Sequence, residues 1–215
     1  MPSQNAKNTM IELKNVSLEV DGKPLISHFS LTAVAGELVA IVGESGVGKS
    51  TLLKAILGFK PLKEGMISID GEPLNGYSAV FFRRLMAYVP QELSLPCESV
   101  AEMVSLPFTL HQNKHIVFSK ERLMEEWEKL GLSASLYDKQ VSEVSGGERQ
   151  RMMIAVSVLL DKPILLADEP TSALDNFSSQ KVLSYFRDYA SKGHTVIVVS
   201  HDPLFAQGSD RVIQL

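Results

Sequence analysis

The 215 residues are 45% hydrophobic and 21% charged, which is enough apolar material for the core of one domain. A formal net charge of −4 argues against nucleic acid or an anionic membrane surface as a partner. One cysteine, Cys97, excludes an internal disulfide framework and fits a reducing compartment. The polar start MPSQNAKNTM lacks the layout of a signal peptide, and no apolar run reaches the roughly 18 residues of a membrane span. Work at a membrane would need another subunit to hold the chain there.

In chain order, MIELKNVSLEV (Met10 to Val20) alternates as an amphipathic strand. Asp21 to Lys23 is a hairpin signal, and LISHFSLTAV is the partner strand. GELVAIVG (Gly36 to Gly43) reads as a short buried strand followed by a Gly/Ser-rich loop and the helix STLLKAILG. GMISIDGEPL predicts a further strand and turn. From about Pro90 to Gln140 the pattern becomes helix-like, including SKERLMEEWEKLGL with Ser119 as its N-cap. Ser145 followed by Glu148 is a capping box ahead of an apolar run. Two glycines in that first helical turn, Gly146 and Gly147, are unexpected, because glycine is a poor helix former.

KPILLADEP predicts a buried strand ending in acids, with a helix from about Asn176 to Ser191 after it. HTVIVVSH and DRVIQL close the chain as strands. Buried strands alternating with helices predict an α/β fold with a mostly parallel central sheet. The expectation is one domain, 1–215, with a helical subdomain inserted at about 92–160. Smaller features take plain readings: His111 and His115 as a solvated pair, Met152 and Met153 as helix packing, Cys97 as inert, Trp127 as the anchor of the helical insertion.

The strongest chemical signal is GESGVGKST, which matches the phosphate-binding pattern G-x-x-x-x-G-K-[ST] between a strand and a helix. Converging backbone N–H groups of Gly43, Glu44, Ser45, Gly46, Val47, Gly48, Lys49, Ser50 and Thr51 would cradle phosphates. Lys49 adds a point charge and the Ser50 hydroxyl can ligate Mg²⁺. A second anionic ligand is expected at the end of a neighbouring buried strand; Asp168 supplies it, through water. Glu169 follows, with its carboxylate free to polarise an attacking water.

Taken together the motifs resemble the ATP-binding cassette family, the ATPase subunits of ABC transporters. VSGGERQR resembles the family's signature motif, GESGVGKST its Walker A and ILLADEP its Walker B. SALD (Ser172 to Asp175) resembles its D-loop, Gln91 in YVPQE its Q-loop glutamine and His201 in VVSHD its switch histidine. The resemblance covers about Met10 to Leu215. It implies a P-loop NTPase core, an N-terminal antiparallel β subdomain and the inserted helical subdomain. ATP and Mg²⁺ are the implied cofactors.

The resemblance also implies a homodimer in the ATP-bound state, paired head to tail. Ser145, Gly146 and Gly147 of one copy would then bind the γ-phosphate held by the other copy's Lys49. A helix N-terminus, with free N–H groups and about half a positive charge, suits that anion. Gln91 would sense metal and nucleotide, His201 would contact the γ-phosphate or water, and Asp175 would relay between the two sites. The implied partners are transmembrane permease subunits, with no nucleic acid, and the implied place is the cytoplasmic face of the membrane. Leu106 to Phe108 is similar to compact ATPases of metal or iron export and to lipoprotein-type relatives. Two departures stand out: the place of the family's adenine-stacking aromatic falls near Val20, and Ser157 stands where many relatives carry a basic residue.

Overall fold

The computed structural model describes residues 9–93 and 96–215. The chain opens with a long hairpin of β1 (Thr9–Val20) and β2 (Lys23–Val34), turning at Asp21 and Gly22. β3 (Leu38–Val42) leads into α1 (Lys49–Ile56), and β4 (Glu64–Ile69) and β5 (Glu72–Pro73) return to the hairpin. A short α2 (Ala79–Phe82) and a 3-10 turn precede β6 (Met86–Val89). Three helices follow before the next strand: α3 (Val100–Thr109), α4 (Lys120–Lys129) and α5 (Gly146–Leu159). The chain closes with β7 (Ile164–Asp168), α6 (Asn176–Ser191), β8 (Thr195–Ser200), α7 (Pro203–Gly208) and β9 (Arg211–Gln214).

The strands form two sheets. One is antiparallel, ordered β2-β1-β4-β5, and the other is parallel, ordered β6-β7-β8-β3-β9. Every central strand of the parallel sheet is apolar on both faces, and the twofold alternation of a strand divides its residues between two cores. Leu38 and Ala40, Leu165 and Ala167, Val196 and Val198 face a core shared with α3 to α6. Val39 and Ile41, Ile164 and Leu166, Ile197 and Val199 face a second core shared with α1 and the antiparallel sheet. Each fully buried Val, Leu or Ile contributes about 1.5–3 kcal/mol, so the parallel sheet is the stable base on which the loops stand. The expected α/β architecture is the one found.

The strand register decides where the loops meet. Val42 pairs with Ser200 and Asp168 with Val199, so β3, β7 and β8 end level with one another. Their carboxyl ends form one edge, the place where open α/β sheets bind ligands.

Candidate active site

Each expected nucleotide-side residue leaves the sheet at this edge: the P-loop from β3, Gln91 after β6, Asp168 and Glu169 from β7, His201 from β8. A cavity of about 220 Å³ is lined by Ser45, Gly46, Gly48, Lys49, Ser50, Thr51, Gln91, Glu169 and His201, with Leu25 at its rim. Gly48 caps α1 at φ 112°, a conformation that side chains resist. A Cβ there would also stand 2.9 Å from Leu25 Cγ, so β2 presses against the loop from behind. The loop is thus narrow because β2 packs on it.

Lys49 is buried, at 6% exposed. Its Nζ donates to the carbonyls of Gly43 (2.8 Å) and Glu44 (3.0 Å) and lies 3.4 Å from Glu169 Oε1. Glu169 is 7% exposed and not free as its sequence position suggested. Its other oxygen, Oε2, lies 2.8 Å from His201 Nδ1 and accepts from the His201 backbone N–H at 3.3 Å. A carboxylate in so dry a place requires a partner for its charge; Lys49 supplies the ammonium on one oxygen and His201 flanks the other. Phosphate oxygens entering the cavity would compete for Lys49 and hand Glu169 over to water and His201.

Glu169 also has φ 45°, left-handed for a residue with a side chain. Such strain costs of order 1–3 kcal/mol and persists only where surroundings impose it. Here the Glu169 N–H donates to Val199 O at 2.9 Å, and its carbonyl accepts from Ser172 N–H at 3.2 Å. β8 and the turn that follows therefore hold the backbone while the carboxylate is held between Lys49 and His201.

Ser50 Oγ donates to Asp168 Oδ1 at 2.9 Å, and Tyr88 OH donates to Asp168 Oδ2 at 3.2 Å. Burial raises the Asp168 carboxyl above its ordinary range, against the two hydrogen bonds that lower it. Burial, with Asp168 beside it, likewise raises the Tyr88 phenol, so Tyr88 stays a donor. Hydroxyl, carboxylate and the nearby Gln91 carboxamide are hard oxygen donors of the kind Mg²⁺ takes. Ser50 and Asp168 would hold it, with Gln91 on the cavity wall.

The signature segment stands apart from that cavity. Ser145 Oγ accepts from Glu148 N–H (3.2 Å), and Ser145 N–H donates to Glu148 Oε2 (2.8 Å): the capping box is formed. The Ser145 N–H holds the Glu148 carboxyl below its usual range. The two glycines differ. A Cβ on Gly147 would lie 2.9 Å from both Ala173 O and Leu174 Cδ2, whereas one on Gly146 would meet nothing within 4 Å. Gly147 is therefore required by the packing of the SALD loop, and Gly146 faces open space. Asp175 caps α6: Oδ1 accepts from Ser178 N–H (2.8 Å) and Oδ2 from Ser178 Oγ (3.1 Å), and the first of these lowers its carboxyl.

Two residues escaped the sequence reading. Tyr88 lies on β6, a strand too short to announce itself, and orients Asp168. Gln150, buried on α5, donates to the Pro90 carbonyl at 3.2 Å, tying the signature helix to the residue before Gln91. Val20 is exposed at the end of β1, beside the hairpin turn.

A phosphate-binding loop after the first strand of a parallel sheet, with acids at the end of a neighbouring strand, defines a P-loop ATPase. The chain belongs to the ABC transporter family: the family's sequence model matches residues 26–172. The hemin import ATP-binding protein HmuV of Pseudoalteromonas translucida is 36% identical over 96% of this chain and 83% of its own length. The zinc transport system ATP-binding protein TroB of Treponema pallidum is 33% identical over 95% of this chain and 77% of its own. Among solved structures, a post-hydrolysis dimer of the ATP-binding cassette MJ0796 with ADP and Pi superimposes with a TM-score of 0.83. It is 30% identical, and the match covers 96% of this chain and 94% of that one. As a member of this family the chain is an ATPase that binds ATP and Mg²⁺.

Proposed function

We propose that this chain pairs head to tail with a second copy, enclosing two ATP, each between the P-loop of one copy and Ser145 to Gly147 of the other. The observation that carries this reading is a division. One cavity gathers the P-loop, Gln91, Glu169 and His201, yet includes none of Ser145 to Gly147, whose helix start opens outward at Gly146. At this capped helix start Glu148 occupies the Ser145 N–H, and the N–H groups at Gly146 and Gly147 are left to receive an anion from elsewhere. A dimeric cassette among the solved relatives supports pairing of two copies. Within each site Glu169 polarises the attacking water, His201 orients it, Lys49 holds the transferred phosphate, and Asp175 lies where the copies meet.

The force is delivered to separate membrane subunits, which keep the chain at the cytoplasmic face. No helix among the described residues is long and apolar enough to cross a membrane. A groove of about 280 Å³, lined among others by Phe59, Tyr88, Leu110, Asn113 and Met153, fits a docking helix. Metal or lipid-type export stays the cargo reading, resting on Leu106 to Phe108; relatives named for hemin import and zinc transport share the metal and not the direction. Cargo choice itself belongs to the membrane subunits, because the relatives' names also include glutamate/aspartate and macrolides.

Glu169→Gln tests the catalytic half: it should keep ATP binding, reduce hydrolysis at least about a hundredfold, and accumulate an ATP-bound dimer in size-exclusion chromatography. An active variant that stays monomeric with ATP would overturn the assignment.

A further inference from the structure

A second polar cavity, of about 430 Å³, lies at the opposite end of β6 and β7. It is lined by Arg84, His111, His115 and Lys162, with Asp161 as its one carboxylate. Lys162 is 6% exposed, and among the described residues its ammonium has no ion pair and no hydrogen bond. Its backbone is fixed. The Lys162 carbonyl accepts from Tyr189 OH at 2.7 Å and lies 3.0 Å from His194 Nδ1, and the Tyr189 and His194 rings stack at 3.9 Å. Asp161 lies 3.4 Å from the same histidine, on its Nε2 side, and offers Lys162 no bond. Burial holds the Lys162 ammonium below its usual range, so an anion brought to it would be strongly favoured. Arg84, exposed at the rim, is likewise without an ion pair among the described residues.

This basic recess is continuous with the apolar groove: Gln112 and Leu160 line both. At the junction Asn113 is 2% exposed; its Nδ2 donates to Pro107 O at 2.9 Å, while its buried Oδ1 has no donor. A ligand spanning both cavities must therefore offer an apolar face along the groove and negative charge at the end beside Lys162 and Arg84. A chain with net charge −4 that concentrates basic groups here is complementary to such an end.

We propose that this recess receives carboxylates at one end of the docking helix of the membrane subunit. The inference rests on the docking reading above and adds the chemistry of the partner: an amphipathic segment, apolar along the groove and acidic toward Lys162 and Arg84.

The test uses the full chain and a synthetic amphipathic helical peptide, apolar along one face with glutamates at one end, read by fluorescence anisotropy. Lys162→Glu with Arg84→Glu should weaken the complex at least about tenfold and leave ATP binding unchanged. An acidic-to-lysine exchange in the peptide should restore it. Lys162→Met, which keeps the buried stem, should give part of the loss and guards against misfolding of the reversed pair. Met153→Arg tests the groove alone. If Met153→Arg abolishes the complex while charge reversal has no effect, the acidic-end proposal is overturned and the docking reading stands. If neither variant matters, both fall. Inorganic phosphate binding at Lys162 without binding of any acidic peptide would also overturn it, in favour of a small-anion site.

Discussion

The proposed dimer brings two elements to one phosphate, and they are built in opposite ways. In the P-loop the glycine at Gly48 lets the backbone curl against β2, and the cation of the loop is already engaged by Glu169. At the start of α5 the backbone is an ordinary capped helix; Gly147 is there because the SALD loop leaves no room for a methyl group, and Gly146 faces outward. The first element is a finished half-site with its counter-charge in place. The second has its Glu148 carboxylate on Ser145 N–H and, among the described residues, no cation in salt-bridge contact with it. That contrast teaches that a glycine pair need not have one cause: one member serves packing within the chain, and in the proposed dimer the other serves access from outside.

The largest effect should separate the two elements. Lys49→Ala should weaken ATP binding about 10–100-fold, the value of charge-assisted hydrogen bonds to phosphate, and leave Glu169 buried without its cation. Ser145→Arg should leave the affinity of the single chain for ATP within about twofold, yet abolish turnover. Calorimetric titration with ATP and phosphate-release assays read both; equal losses of affinity would break the comparison.

A smaller effect divides the glycines. Gly147→Ala drives a methyl group into Ala173 and Leu174 and should cost about 1–3 kcal/mol, lowering Tm in a thermal melt. Gly146→Ala should gain up to about 1 kcal/mol from helix propensity while lowering turnover. A Tm drop for Gly146→Ala with none for Gly147→Ala would reverse the assignment.

The smallest effect concerns Asp168. Burial raises its carboxyl in the folded chain, so the folded state holds the proton more tightly than the unfolded one. The ionised form therefore costs stability above the folded pKa, and that cost fades as pH falls toward the unfolded value. Asp168→Asn should raise Tm of the nucleotide-free protein at neutral pH, with the gain shrinking in acid, while turnover is lost. No gain at neutral pH would mean that the hydrogen bonds from Ser50 and Tyr88 outweigh burial.

The buried strands and most helix starts were legible because burial on two faces and capping are local facts. Asn176 to Ser191 and the Ser119 and Ser145 caps fall where the residues placed them. The nucleotide edge was legible because a motif states its own spacing. What escaped was tertiary. Met86–Val89 is only four residues and becomes a strand by pairing with β7. Nothing local marks Tyr88 as the partner of Asp168. Glu169 looked free because Lys49, 120 positions earlier, meets it only once β3 and β7 share an edge, and the reason for Gly147 lies in a loop some twenty-six residues downstream.

Trp127 is the chain's single tryptophan, fully buried on α4 in the core shared with α3 and α5, with its ring 6.5 Å from that of Tyr137. No residue of the nucleotide cavity is tryptophan. The molecule therefore contains its own optical label, confined to the helical layer. Its emission should be blue-shifted in the native state and move to the red only when that layer loosens, so ultraviolet fluorescence can watch one half of the fold while ATP is bound by the other.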